Sequence, residues 1–194
     1  MMCFSPGRHL LCAAVLLAGG AAGAEPATAA KLLPAQSQIV FVTRQMGVPV
    51  EGAFKKFDAQ VAFDPRKPEG GSVALQIDVA SASLGIPQSD AELPRPAWFD
   101  SQRFPKAEFQ SIAIKALGDG RFEIAGRLTI KGSTKDLLVP VEIAQAYGQS
   151  TATGSFTIQR LAYKIGDGEW TDTSMVADEV QVRFKLVLAG LGPL

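Results

Sequence analysis

The feature that most limits the fold of this chain is a regular alternation of apolar and polar residues. The clearest run, near the C-terminus, puts five apolar residues at every second position: Val180, Val182, Phe184, Leu186 and Leu188. Because successive side chains of a strand point to opposite faces, this pattern predicts a strand with one buried face. The chain is therefore expected to belong to the all-β class.

Similar runs recur along the chain, separated by Gly, Pro and Asp residues that favour turns. Further strands are predicted at 38–44, 50–64 with a bend, 72–79, 107–115, 121–130, 137–146 and 150–159. About eight antiparallel strands result. Since each strand is apolar on one face only, the sheet must close into a barrel or fold into a sandwich.

One long segment, residues 81–105, interrupts the strand pattern. A short helical turn is expected at 90–93, before Pro94 and Pro96 prevent its continuation. A loop of this length in a compact β domain more often has a functional role than none.

The N-terminus has the three parts of a secretory signal peptide. Arg8 precedes an apolar run at 10–18, and small residues follow up to Ala24. We expect cleavage after Ala24, a linker at 25–30 and a single domain at 31–190; a second small-residue site at 27–30 is the alternative. A membrane anchor is disfavoured because the apolar run is far shorter than the roughly 20 residues that span a bilayer.

The same segment contains both cysteines and the one histidine of the chain, Cys3, Cys12 and His9. After cleavage no disulfide is expected, and catalysis by a Ser-His-Asp or Cys-His site is excluded. Zinc, copper and haem sites are disfavoured, and no cofactor is predicted. The whole chain has 19 basic and 19 acidic residues, a balance that gives no electrostatic attraction for nucleic acid. A binding protein is therefore favoured over an enzyme.

Five motifs in order narrow the prediction further. They are Met46-Gly47-Val48-Pro49-Val50-Glu51-Gly52-Ala53-Phe54, Asp90-Ala91-Glu92-Leu93, Trp98-Phe99-Asp100 with Phe104-Pro105, residues 126–135, and Phe156-Thr157-Ile158-Gln159-Arg160. Their order and spacing resemble the YceI-like family of periplasmic polyisoprenoid-binding proteins over about residues 31–188. The chain departs from the pattern at Gln45, where many relatives have a histidine.

This resemblance implies a lipocalin-like antiparallel β-barrel whose apolar lumen holds an isoprenoid quinone or a polyprenyl phosphate. It implies a non-enzymatic carrier or sequestering protein in the periplasm, without an integral membrane span. The segments 166–170 and 178–180 also resemble the branch of the family found with b-type membrane cytochromes. A cytochrome partner, with the barrel as scaffold, is the alternative; a homodimer is left open.

The predicted ligand contacts combine strand aromatics with residues of the long excursion. They are Phe41, Phe54, Phe57, Leu93, Trp98, Phe99, Phe109, Phe122, Phe156, Arg160 and Phe184. The alternative for each ring is that it only fills the core. For the Trp98-Phe99 pair the two readings are a gate over the barrel mouth and a plug. Trp170, in a glycine-rich turn, is expected to respond little to a ligand.

Five charged positions have open interpretations. Asp90, Glu92 and Asp100 could serve acid-base chemistry, as in an isomerase, but Asp90 is more simply a helix cap and the others solvated. Arg160 is expected on the polar side of its strand, paired with a ligand phosphate or an internal carboxylate. Lys131 belongs to a modest basic rim and is expected to be solubilising.

Overall fold

The computed structural model describes residues 29–194, so the predicted signal peptide lies outside the described residues. The strands are β1 Ala30–Leu32, β2 Gln38–Gln45, β3 Val48–Phe54, β4 Phe57–Asp64, β5 Lys67–Asp78, β6 Ala82–Ser83, β7 Lys106–Gly118, β8 Arg121–Ile130, β9 Ser133–Ala146, β10 Gln149–Gln159 and β11 Glu179–Ala189. One α-helix, α1, spans Pro87–Glu92, and short 3-10 helices occupy Pro34–Gln36, Val79–Ser81, Arg160–Tyr163 and Gly168–Thr171.

The sheet closes on itself. Strand β11 pairs with β10 on one side, and on the other side with β2 through residues 181–185 and with β1 through residues 188–189. Strands β3 and β4 follow in the same way, because β3 pairs with β2 and β4 pairs with β1. Each of these two pairs is therefore one barrel strand with a break in it.

Eight strand positions form the closed antiparallel barrel: β1 with β2, β3 with β4, β5, β7, β8, β9, β10 and β11. The prediction of a bent strand over 50–64 is confirmed, and the sandwich alternative is excluded by the closure. Strand β1 begins at Ala30, which is buried.

Two-residue turns join several neighbouring strands. The turn between β8 and β9 has positive φ at Lys131 and Gly132, and the turn between β9 and β10 has positive φ at Tyr147 and Gly148. These angles fit the type I′ geometry that matches the twist of antiparallel strands, and glycine adopts them without strain. Short turns keep sequential strands adjacent around the barrel.

Two segments leave the sheet at one end of the barrel. We name residues 84–105 the first cover loop and residues 160–178 the second cover loop; α1 lies in the first. Pro87 occupies the first turn of α1, which begins three residues before the predicted helical turn. Within residues 29–194, no helix has the length and apolar character needed to cross a bilayer.

Candidate functional site

The two ends of the barrel are packed differently. At one end, the rings of Phe63 and Phe122 meet edge to face with centroids 5.5 Å apart, and both residues are buried. At the other end, beneath the cover loops, a cavity of about 340 Å³ remains. Its size falls in the range of small-molecule sites, and its wall is mostly aliphatic and aromatic. The barrel is thus solid at one end and hollow at the other.

The cover loops bind each other directly above this cavity. The backbone N–H groups of Gly166 and Asp167 both donate to the Ala97 carbonyl at 2.8 Å. The rings of Trp98 and Trp170 pack together with centroids 5.4 Å apart, and both residues line the cavity. Trp170, which was expected to respond little to a ligand, therefore lies at the cavity wall beside Trp98.

Lys131 connects the barrel to both cover loops. Its Nζ donates to the carbonyl of Pro96 at 2.7 Å and to that of Lys164 at 2.6 Å, and lies 3.5 Å from an Asp167 carboxylate oxygen. The side chain is only 7% exposed. The prediction of a solubilising surface lysine is wrong because this ammonium group satisfies carbonyls of two loops that would otherwise lack partners.

Arg160 organises the second cover loop from inside. It is 2% exposed, and its five N–H donors go to five backbone carbonyls at 2.7 to 3.1 Å. These carbonyls belong to residues of the same loop: Ile165, Gly166, Trp170, Val176 and Ala177. Burial lowers the pKa of Arg160, and the negative charge of Asp178 partly opposes that shift. An arginine has no further donor to offer once all five are used.

The prediction for Arg160 is therefore corrected in two respects. Arg160 lies two positions after Ile158, which is buried, so both side chains lie on the same face of the chain. The Arg160 side chain therefore points into the barrel interior and not to its polar outer face. Its partners are carbonyl groups and not a carboxylate, and its donors are occupied, so it has none left for a ligand phosphate. Arg160 still lines the cavity.

The acidic residues of the first cover loop also differ from the prediction. Asp90 does not cap α1; its carboxylate accepts from the Leu84 N–H at 2.6 Å and the Ser83 hydroxyl at 2.7 Å. These two hydrogen bonds, the Leu84 one foremost, lower the pKa of Asp90. Asp100 is buried rather than solvated, and its Oδ2 atom lies 3.5 Å from Nη1 of Arg103.

The three carboxylates do not form a shared acid-base pair. Asp90 and Asp100 are each engaged locally, and Glu92, at the cavity wall, pairs with Arg95 at 3.1 Å. In the part of the chain that the structure describes, no three His, Cys, Asp or Glu side chains are grouped to hold a metal ion.

Seven of the eleven predicted contact residues line the cavity: Phe41, Phe54, Leu93, Trp98, Phe99, Phe156 and Arg160. Phe99 is buried and meets Phe54 edge to face at 6.0 Å, so it is part of the wall as well as of the cover. The burial of Phe99 fits the plug interpretation, and the gate interpretation, which requires this loop to open, stays a prediction.

The other four predicted residues lie elsewhere. Phe122 belongs to the solid end, and Phe57 lines a separate surface groove beside the breaks in the barrel strands. Phe109 and Phe184 lie over glycines of neighbouring strands, Gly126 and Gly154, where an added Cβ would collide with the ring. These rings fill space that glycine leaves empty, which is a packing role that alternation alone does not reveal.

Several wall residues were not predicted. Thr43 and Gln45 follow Phe41 at alternate positions of β2, so the strand pattern could have indicated them. Met175 and Val176 come from the second cover loop, where Met46 donates its N–H to the Met175 carbonyl at 2.9 Å. No sequence pattern indicates those contacts, because the loop is irregular and is held by Arg160.

Comparison with known proteins now identifies the family. The sequence model described as the YceI-like domain matches residues 31–188. This chain belongs to the YceI-like family. A UPF0312 protein of Vibrio cholerae is 27% identical over 113 residues, covering 58% of this chain and 60% of that protein. A UPF0312 protein of Pseudomonas putida is 30% identical over 86 residues, covering 44% and 45%. The chain thus matches about half the length of these curated relatives.

Solved structures agree with the fold. The crystal structure of Burkholderia cenocepacia BcnA is 46% identical, covers 81% of this chain and 99% of that one, and has a TM-score of 0.78. A polyisoprenoid-binding domain from Saccharophagus degradans, implicated in plant cell wall breakdown, is 15% identical with a TM-score of 0.69, covering 87% and 100%. At that identity the likeness concerns the fold alone. The YceI-like barrel predicted from the motifs is confirmed.

The segments 166–170 and 178–180, which suggested a cytochrome partner, have structural roles in this YceI-like barrel. Gly166 packs against the Arg160 guanidinium, and Asp178 accepts the Leu161 N–H at 2.9 Å. Gln45, at the position of the family's frequent histidine, lines the cavity and pairs with Val176 in an isolated β-bridge. A cytochrome partner stays a prediction.

Proposed function

We propose that this YceI-like protein binds an isoprenoid lipid in the cavity beneath its cover loops and carries or sequesters it in the periplasm without chemical conversion. The observation that supports this most is the hollow, mostly apolar end of an otherwise solid barrel. A cavity of this kind has no structural use when empty, since its wall atoms lack packing partners.

Burial of the lipid tail would supply the affinity. At about 25 cal/mol per Å² of apolar surface, a tail that loses several hundred Å² of contact with water gains on the order of 10 kcal/mol before association costs. The wall offers no charged group free for catalysis, because Arg160 is fully hydrogen-bonded and Glu92 is paired with Arg95. Binding alone is the function that such a wall favours.

The periplasmic part of the proposal depends on the predicted signal peptide at residues 1–24. Intact mass of the protein recovered from the periplasmic fraction should correspond to a chain beginning near Glu25, without a disulfide. A retained Met1 would contradict export by cleavage of this segment.

The binding proposal is tested by mass spectrometry of an organic extract of purified protein. An isoprenoid lipid should be recovered in near-stoichiometric amount. The variant Ala107→Phe places a ring into the cavity from the start of β7 and should abolish recovery of the lipid. The matched control, Ala144→Phe, makes the same change at an exposed position of β9 and should retain it.

Two results would overturn the proposal. One is equal lipid recovery from both variants, which would place the lipid outside the cavity. The other is a membrane cytochrome captured in stoichiometric amount by protein that contains no lipid, which would favour the scaffold role instead.

A further inference from the structure

The exposed residues of the cavity wall show where the cavity meets solvent. Most residues that line it are buried or half-buried, and the exposed ones are Met46 and Met175. Met46 is 72% exposed and Met175 is 47% exposed. Met46 lies in the turn between β2 and β3, and Met175 lies in the second cover loop. These two residues therefore mark the mouth of the cavity.

The backbone holds the two methionines side by side. The Met46 N–H donates to the Met175 carbonyl at 2.9 Å, and the Ala177 N–H donates to the Arg44 carbonyl at 2.9 Å. Val48, on the other side of Gly47, is also exposed, and a Cβ added at Gly47 would meet no atom within 4 Å. We name Met46, Val48 and Met175 the apolar lip. It is a rim of the cavity mouth that projects into solvent.

The turn between β2 and β3 does not itself require an apolar side chain. Met46 has a φ of 49° and Gly47 a φ of 80°, which are left-handed angles. Asn, Asp and Gly adopt such angles readily in tight hairpin turns, whereas a long apolar residue is disfavoured there. Met46 is too exposed for burial to offset this preference. Its residue type points to a contact outside the folded chain.

The size and the charge of the apolar lip restrict its partner. Three exposed side chains offer far less than the roughly 800 Å² per partner that a stable protein interface buries. In the two segments that form the lip, residues 44–50 and 172–177, the charged residues are Arg44 and Asp172, which have opposite signs. The lip therefore does not favour a strongly charged partner. A few apolar side chains at the mouth of an apolar cavity suit the surface of a bilayer, into which they can insert.

We infer that the apolar lip docks this protein on a lipid bilayer, with the cavity mouth facing the membrane, so that a lipid passes between bilayer and cavity without crossing water. This inference rests on the proposed function and names the membrane surface as the partner that supplies or receives the lipid. Three inserted side chains bury little area, so the docking is weak and reversible, as a carrier requires.

Flotation of the delipidated protein with phosphatidylcholine vesicles tests the docking. The wild type should partition onto these vesicles, and the partition should change by less than about twofold when phosphatidylglycerol or salt is added, because the lip has no net charge. Met46→Asn suits the left-handed turn and should reduce the partition about fivefold. The matched control is Tyr147→Asn, at the exposed left-handed position of the turn between β9 and β10 at the other end of the barrel. It should partition as wild type.

Val48→Thr separates docking from lipid binding. Val48 belongs to the lip but does not line the cavity, and threonine keeps its β-branched shape. Partition of this variant should fall about threefold, and uptake of menaquinone-4 from vesicles, followed by tryptophan quenching, should slow by a similar factor. Its affinity for menaquinone-4 delivered from cyclodextrin should equal that of the wild type.

The outcomes distinguish this inference from the proposed function. Three results would overturn the docking and leave lipid binding intact: no partition of wild type onto vesicles, partition that requires phosphatidylglycerol and is lost in salt, or equal effects of Met46→Asn and Tyr147→Asn. Partition that depends on the lip, without binding of menaquinone-4 from either source, would support the docking surface and count against the proposed function.

Discussion

The indole rings of Trp98 and Trp170 lie 5.4 Å apart, with their planes inclined by 49°, and join the two cover loops above the cavity. Each loop thereby depends on the other for its position. A lipid that enters or leaves through this end must separate the rings or pass beside them. Tryptophan fluorescence should therefore report on the cover directly.

Ligand binding should change the fluorescence of both tryptophans, since both line the cavity. The single variants Trp98→Phe and Trp170→Phe each leave one indole, and each should retain a change on addition of an isoprenoid. Trp98→Ala removes the contact and should release lipid about tenfold faster, which corresponds to a loss of about 1.4 kcal/mol. Stopped-flow release measurements check the rate. Unchanged fluorescence and release would show that the lipid uses another route.

Lys131 should control the stability of the cover without being part of the cavity wall. Lys131→Met removes the hydrogen bonds to Pro96 and Lys164 and leaves both carbonyls without this donor. We expect faster amide exchange in both cover loops and lipid release accelerated several-fold, with the barrel strands unaffected. The matched control Lys135→Met changes an exposed lysine of β9 and should behave as wild type. Equal exchange in the two variants would contradict the role of Lys131.

The barrel could be predicted from the sequence because alternation is a local signal. The expected strand 121–130 coincides with β8, Arg121–Ile130, and the other main strands differ from their predicted bounds by a few residues. The signal fails for β1 and β6, which have three and two residues and are too short to display a period.

The site was predicted less completely because it depends on loops. Arg160 bonds carbonyls up to 17 residues further along the chain, and backbone carbonyls leave no trace in the sequence. The same is true of the Trp98–Trp170 contact, which joins two irregular segments. The rings of Phe109 and Phe184 lie over Gly126 and Gly154 of the neighbouring strands. Such contacts depend on how two strands are aligned, which the pattern within one strand does not reveal.

Phe156 and Phe184 should respond differently to truncation, although both lie on the inward faces of neighbouring strands. Phe184 covers Gly154, so Phe184→Ala should cost about 3 kcal/mol equally with and without lipid. Phe156 faces the cavity, so Phe156→Ala should cost about 1 kcal/mol in the apo form and more with lipid bound, because the ligand then stabilises the fold less. Urea unfolding with and without lipid checks both. If lipid changed the loss of unfolding free energy equally in the two variants, the assignment of Phe184 to core packing and of Phe156 to the cavity wall would be contradicted.

Asp90 should make the first cover loop sensitive to acid. The hydrogen bonds from Leu84 and Ser83 lower the pKa of Asp90, so the ionised carboxylate stabilises the folded state. That contribution is complete above the unfolded pKa of about 4 and is lost as the pH falls through the lower folded pKa. Asp90→Asn should therefore lower Tm at pH 7, and the difference from wild type should shrink below about pH 4. Asp136→Asn, in an exposed pair with Arg127, is the control. If the difference in Tm between Asp90→Asn and wild type did not change with pH, the ionised Asp90 carboxylate would not be its cause.

Arg160 should be the most sensitive charged position of the described chain. Arg160→Met keeps an apolar side chain of similar length but leaves five carbonyls of the second cover loop without their donor. Loss of such a buried network should cost about 3 to 5 kcal/mol in the free energy of unfolding. Arg160→Lys should recover only part of this, because an ammonium group has three donors and no planar fork.

The matched control for this change is Arg183→Met, which removes an exposed arginine paired with Glu51 on the outside of the barrel. Exposed pairs contribute less than about 1 kcal/mol, so this variant should unfold near the wild-type denaturant midpoint. If Arg160 served a ligand phosphate instead, Arg160→Met would leave the apo protein nearly as stable as Arg183→Met and would weaken binding only of phosphorylated isoprenoids. Chemical denaturation of the two lipid-free variants distinguishes these cases, because the carbonyl network is part of the folded chain whether or not a ligand is bound.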